Sequence, residues 1–378
     1  MKIDYLTGSR ADFGLMLPCL RALDHAQDFA CRIVATGQHL APGYGDTIRD
    51  IERTGLTIAA RIAVPLSGAD GGEMALAMAA ELEALTRFWA KDRPDAVMVL
   101  GDRGEMLAGA LAAIHLAIPI VHVCGGERSG TLDESFRHAI TKLAHIHLCS
   151  TKLAAQRIVA MGERPDCVTA IGTPGLVGIQ DLAAGEFDFA SHFGAGGAAP
   201  GSHRQAVVIY HPVVQEAEQA ASQAASVIAA VQDAGYRQLV LRPNSDAGGK
   251  AIDAVLDRFA KGTDICVVDH LSRPDYLSAI RCADLLVGNS SSGIIESASL
   301  GTPCLNIGTR QSGRERNSNT VDCETTNADA LAKGIEEAAA INPPTTNIYG
   351  DGTADVRMVE ALRAADFAPQ LLAKMNTY

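Results

Sequence analysis

Short runs of apolar and β-branched residues recur along the chain. Each is followed by a longer stretch in which apolar positions return every three or four residues. In the first half the runs are Ile3–Leu6, Arg32–Ala35, Ala96–Leu100, Ile118–Val123, Ile146–Cys149 and Val168–Ile171. In the second half they are Ala206–Tyr210, Gln238–Leu241, Ile265–Val268, Asp284–Val287 and Pro303–Ile307. Continuous apolar runs without polar alternation predict strands buried on both faces, hence parallel sheets. The stretches between them, such as Glu73–Leu85 and Gln215–Gln232, are rich in alanine and predict helices.

With 378 residues the chain is long enough for two domains. The segment Ala183–Arg204, containing SHFGAGGAAPGSHR, is the candidate linker, because its Gly, Ala, Ser and Pro punctuate both periodicities. The pattern predicts an α/β protein of two Rossmann-like, doubly wound domains: 1–182, then, after the linker 183–204, 205–354. A last helix, Asp355–Ala365 within 355–378, is expected to pack back on the first domain. Ligands of such sheets bind at the carboxyl ends of the strands, so loops of both domains are expected to face one cleft.

Composition narrows the chemistry. The net charge of −12, with no long basic run, argues against nucleic-acid or membrane-surface partners. An anionic substrate then needs a locally cationic pocket. The opening MKIDYLTGSR reads as a strand and a polar turn rather than a signal peptide, and no apolar run approaches 18 residues. Nine cysteines without a CxxC pair read as reduced thiols. The expected compartment is the cytoplasm.

The segment DLLVGNSSSGIIESASLGTP, 284–303, places a strand, a small-residue turn and a helix start near Gly293 in succession. Backbone N–H groups at such a start favour an anion, and hydroxyls add donors. Ser290 and Ser291 are therefore candidate diphosphate contacts, with Glu296 placed for ribose hydroxyls. Alone, the segment is equally consistent with a Ser/Asn N-cap that holds no ligand. Arg310, Arg314 and Arg316 follow the next strand, and Arg10 and Asp12 follow the first, in a turn that lacks the GxGxxG fingerprint.

A second constellation is acidic. Asp102 follows the strand Ala96–Leu100, and Glu127, Asp133 and Glu134 follow the next one. Like charges gathered in one cleft separate protonated from ionised groups, as acid and base roles require. The bland alternative is an acidic loop with Asp133 capping a helix. His138, His145 and His147 form no tetrahedral set with a carboxylate or cysteine, so no metal is expected. His211 directly follows the strand Ala206–Tyr210.

The motifs TGSRADFG, GQHL, GDRGE, HVCGGERSGTLDESFRHAITKLAH, YHP, PNSDAGGK, GNSSSGIIE, GTPCLNIGTRQSGRE and IYGDG occur in this order from residue 7 to 352. In them the chain resembles the UDP-N-acetylglucosamine 2-epimerases, specifically the hydrolysing branch that feeds sialic and legionaminic acid synthesis. The resemblance implies a glycosyltransferase-B-like fold, UDP held mainly by the C-terminal domain, and no metal or other cofactor. It implies substrate contacts from Arg10, Asp12, His39, Asn244, Lys250, Ser290, Ser291, Gly293, Glu296 and Arg310, and catalytic roles for Asp102, Glu127, Asp133 and His211. A protonated His211 would give the departing UDP a charge-assisted hydrogen bond. The position two after His122 is Glu in many relatives and Cys124 here, which leaves Glu127 to take that carboxylate's place.

The reaction implied is conversion of UDP-N-acetylglucosamine and water to N-acetylmannosamine and UDP, through 2-acetamidoglucal, by a homodimer or homotetramer. Four alternatives stand beside it. They are the same reaction on a UDP-2,4-diacetamido-2,4,6-trideoxyhexose, a non-hydrolysing epimerase, a glycosyltransferase of the same fold, and a silent UDP-sugar-binding protein.

Overall fold

A computed structural model of the protein describes residues 1–41, 47–65, 71–129, 133–193, 204–243, 248–260, 264–269, 271–343 and 346–377. The chain forms two compact units. The first comprises Met1–Glu127, Thr131–Val177 and Tyr349–Tyr378, and the second Arg128–Gly130 and Gly178–Ile348.

The first unit is a parallel seven-stranded sheet of order β3-β2-β1-β4-β5-β6-β7. Its strands are β1 (Lys2–Thr7), β2 (Ala30–Ala35), β3 (Thr57–Arg61), β4 (Ala96–Leu100), β5 (Ile120–Val123), β6 (Ile146–Cys149) and β7 (Val168–Ala170). Successive side chains leave opposite faces of the sheet. Ile3, Tyr5 and Met98 thus pack with Phe13, Met16 and Leu20 of the Arg10–His25 helix and with Met358 and Leu362 near the C-terminus. Leu6, Val97 and Val99 pack on the other side with Leu85, Trp89, Met106 and Ile140. Burial of both faces explains why these strands lack polar alternation.

The second unit is a parallel six-stranded sheet of order β10-β9-β8-β11-β12-β13. Its strands are β8 (Arg204–Ile209), β9 (Tyr236–Leu241), β10 (Ile265–Val268), β11 (Leu285–Gly288), β12 (Cys304–Ile307) and β13 (Thr320–Cys323). In both sheets the strand order reverses beside the first strand of the unit, at β1/β4 and at β8/β11. Such reversals leave a crevice at the carboxyl ends where loops diverge.

Several expectations need correction. The chain changes unit at Gly178, ahead of the stretch 183–204 expected as linker. The helix Ile179–Leu182 and the 3-10 turn Phe189–His192 belong to the second unit, where Arg281 donates to the Ala184 and Gly185 carbonyls at 3.2 and 3.0 Å. Residues 349–354 fall in the first unit, not the second. The stretch Gln215–Gln232 is not one helix: a 3-10 turn, Val214–Gln219, kinks at Glu216 before the helix Ala220–Asp233. The residues 194–203 of the expected linker lie outside the described residues. No described helix is long and apolar enough to cross a membrane.

Candidate functional site

The loops after β1, β2, β4 and β5 carry the first constellation. The chain leaves β1 into the Arg10–His25 helix through a reciprocal cap, with Ser9 as N-cap and Asp12 three residues on. The Asp12 carboxylate accepts from the Gly8 and Ser9 N–H groups at 3.1 and 3.0 Å and from the Thr7 hydroxyl. Burial pushes its pKa up to about 6 against these hydrogen bonds. Asp12, expected at the substrate, thus spends its oxygens on the turn. The Thr7 hydroxyl also meets His39 Nε2 at 3.0 Å, while His39 Nδ1 meets Thr47 Oγ1 at 3.0 Å. Burial lowers the His39 pKa to about 4, so its ring is neutral. Arg10 points outward, its guanidinium 3.7 Å from Asp50.

Asp102 lies in the turn after β4, and Arg137 of the Asp133–Leu143 helix forms an ion pair with it. The same guanidinium reaches Glu134 at 3.0 Å and the Glu127 carbonyl at 3.0 Å. The Glu127 carboxylate accepts from the Ser150 hydroxyl at the end of β6. The structure therefore gathers Asp102, Glu134 and the Glu127 backbone around a buried cation, rather than packing bare like charges together. Asp133 opens the helix and is exposed. Burial opposes the charge on Arg103, but Glu105, Asp12 and Asp133 hold its pKa above the ordinary value. The three histidines are separate: His138 meets Glu134 at 3.1 Å, His145 Nδ1 accepts from the Ile120 N–H at 3.1 Å, and His147 faces Glu163 at 3.3 Å.

The second constellation stands at the ends of β8 and β11. Asn289 ties the two strand ends together, its side chain accepting from the His211 N–H at 2.7 Å and donating to the His211 carbonyl at 2.8 Å. Its own carbonyl accepts from Arg310 at 3.1 Å and Gln311 at 3.0 Å. Gly288 has φ of +139°, and a Cβ there would lie 2.0 Å from the Ile209 carbonyl oxygen, so only glycine permits this approach. Beyond it the N–H groups of Ser290 and Ser291 find no acceptor among the described residues. A helix start near Gly293 is expected, and the chain does enter a helix there: two four-residue helices, Ser292–Ile295 and Ser297–Leu300, meet at Glu296. Loop N–H groups and hydroxyls ahead of this short helix are what such a turn can offer an anion.

Burial, with Arg310 nearby, depresses the His211 pKa to about 4. Its ring is accordingly neutral near pH 7 in the ligand-free protein, where a protonated one was expected. Glu296, expected at the ribose, is ion-paired with Arg273. Lys250 is exposed at the start of the Gly249–Phe259 helix, and Asn244 lies outside the described residues. Sequence reasoning gave no role to Arg137, Arg103, Ser150, Asn289 or Tyr276, which donates to Ser292 at 2.6 Å.

A family model described as UDP-N-acetylglucosamine 2-epimerase matches residues 21–363. A Legionella pneumophila protein named UDP-N,N'-diacetylbacillosamine 2-epimerase (hydrolyzing) is 41% identical, over 100% of this chain and 99% of its own. A Neisseria meningitidis UDP-N-acetylglucosamine 2-epimerase is 32% identical over 89% of this chain and 87% of its own. Among solved structures, the Methanocaldococcus jannaschii UDP-GlcNAc 2-epimerase in complex with UDP-GlcNAc and UDP superposes with a TM-score of 0.79 at 18% identity, covering 97% of this chain and 100% of that one.

Proposed function

Because the chain belongs to the UDP-N-acetylglucosamine 2-epimerase family, we propose that it is a hydrolysing 2-epimerase whose substrate is UDP-N,N'-diacetylbacillosamine, a UDP-linked 2,4-diacetamido-2,4,6-trideoxyhexose. The observation that carries this reading is the 41% identity, end to end, with a protein named for that hydrolysing reaction. UDP-N-acetylglucosamine, the substrate first expected from the motifs, becomes the second reading, favoured by the Neisseria relative.

The chemistry asked of the residues follows from the sugar. Its C2 hydrogen is not α to a carbonyl, so it leaves only as the C1–O bond to UDP breaks, giving a C1=C2 double bond. Water then adds at C1 while a proton returns to C2 from the opposite face, and the free 2-epimer departs. In this reading Asp102, Glu127 and Asp133 share the base, acid and water-activating roles, each positioned proton transfer worth roughly 10²–10⁴-fold. The departing diphosphate is met by the Ser290 and Ser291 hydroxyls and N–H groups, by Arg310, and by an N–H of the His211 ring. A bound diphosphate favours the imidazolium, against the burial that depresses it, so substrate binding itself would arm His211 as a donor.

The test is to incubate the protein with each UDP-sugar and no acceptor, following UDP and the sugar by proton NMR. UDP together with the 2-epimer of the diacetamido sugar, formed faster than N-acetylmannosamine, is the expected result. Preference for UDP-N-acetylglucosamine would establish the second reading. No UDP from either would leave a silent binder or an acceptor-dependent transferase.

A further inference from the structure

Two contacts beneath the Asp102 turn form a closed ring with the pair described above. His122 lies on β5, fully buried, in register with Val99 of β4 and His147 of β6. Its Nε2 lies 2.7 Å from the carbonyl oxygen of Gly101, the residue before Asp102. Its Nδ1 lies 3.2 Å from the hydroxyl of Thr141, one turn along the helix from Arg137 and on the same stripe. The ring runs from Asp102 to Arg137, along the helix to Thr141, through His122 to Gly101, and back to Asp102. Two struts between the same turn and the same helix fix an orientation where one would leave a pivot. The turn needs fixing, since Gly101 has φ of +74°, where glycine is least constrained.

We propose that His122 is a positioning residue for the reaction, a neutral imidazole strut that holds the Asp102 turn against the helix bearing Arg137. The carbonyl of Gly101 only accepts, so Nε2 carries the hydrogen and Nδ1 accepts from the Thr141 hydroxyl. Burial drives the His122 pKa down to about 3, which keeps the ring neutral, while the Gly101 carbonyl selects the Nε2–H tautomer. A Cβ on Gly125 would stand 2.8 Å from Nδ1 and 3.2 Å from the Thr141 hydroxyl, so the strut sits in a close-fitting slot. Its effect on turnover rests on the epimerase reading above, while the strut itself does not.

His122→Asn shortens the side chain and loses the Gly101 contact. Its kcat on the preferred UDP-sugar should fall on the order of 10²-fold, the cost of a misplacement near 1 Å, with KM unchanged. His122→Gln places an amide nitrogen about where Nε2 stands and should recover most of that loss. Thr141→Val, which keeps shape and removes the hydroxyl, should lower kcat about tenfold, as one net hydrogen bond implies. Equal turnover by the Asn and Gln variants, or a loss confined to KM, would overturn the proposal. Where the Asn variant does not fold, unchanged kcat in Thr141→Val overturns it instead. In ¹⁵N-histidine-labelled wild type near pH 7, the signal lost in His122→Gln should report a neutral ring protonated at Nε2. An Nδ1-protonated or charged ring in an active enzyme sinks the strut alone, whereas a wild type that releases no UDP sinks the epimerase reading alone.

Discussion

Glu81 stands in the stripe Ala77, Glu81, Leu85, Trp89 that its helix turns inward, and its Oε1 has no hydrogen-bond partner among the described residues. Burial, with Glu105 nearby, pushes its pKa up to about 9. An unfolded Glu titrates near 4.3, so between those values the native state holds a proton that the unfolded state has lost. Stability therefore falls as pH climbs through that window. Glu81→Gln should remove the fall: its Tm should exceed that of wild type at pH 8 and match it near pH 5, measured by thermal unfolding. A variant that tracks wild type at both pH values would show that Glu81 is ionised in the fold. At this scale sequence reading reached the residues at strand ends, such as Asp102 and Ser290, because strand ends are visible as the stop of an apolar run. It did not reach what pairs with them. Arg137 is separated by 35 residues from Asp102, and no local spacing announces that contact. At Asp12 the Ser-x-x-Asp spacing is also a local capping signal, and the structure shows the cap it predicts.

The Asp133–Leu143 helix is held at both ends. Arg137 works near its start, and at its end Lys374 donates to the Thr141, Lys142 and Ala144 carbonyls at 3.1, 2.8 and 2.6 Å. These include carbonyls of the last turn, which a helix leaves without partners of its own. The same ammonium pairs with buried Glu163 at 2.7 Å, and Lys142 reaches the other Glu163 oxygen at 2.6 Å. Lys374→Met should thus cost roughly 1–3 kcal/mol, the range for stripping a partner from buried acceptors. Chemical denaturation would register this as a lower midpoint at unchanged slope, and an unmoved midpoint would show that the C-terminal clamp is ornamental. The elements missed from sequence are β3 and β13, both at sheet edges. TIAAR and TVDC are short and interrupted or flanked by Thr, Arg and Asp, so they carry less of the apolar continuity that marks the other strands. The helix start near Gly293 is legible from the small-residue turn before it, whereas the junction at Glu296 is not, because Ser, Gly and Ala suit a turn as well as a helix.

For the molecule as a whole, two doubly wound sheets were legible because each strand is an apolar run followed by an amphipathic one. The point of passage at Gly178 was not legible, because Gly-rich composition marks freedom of the backbone and not the unit against which a segment packs. In the proposed reaction a chain of net charge −12 must concentrate its cations locally, and the Ser290–Arg310 region would do so while carboxylates elsewhere move the C2 proton. That division of labour makes one outcome decisive. Turnover of the diacetamido UDP-sugar in D₂O, read by proton NMR and mass spectrometry, should yield UDP and a free 2-epimer carrying one solvent deuteron at C2. A product that keeps its original C2 hydrogen, or that leaves with C2 unepimerised, would contradict the account.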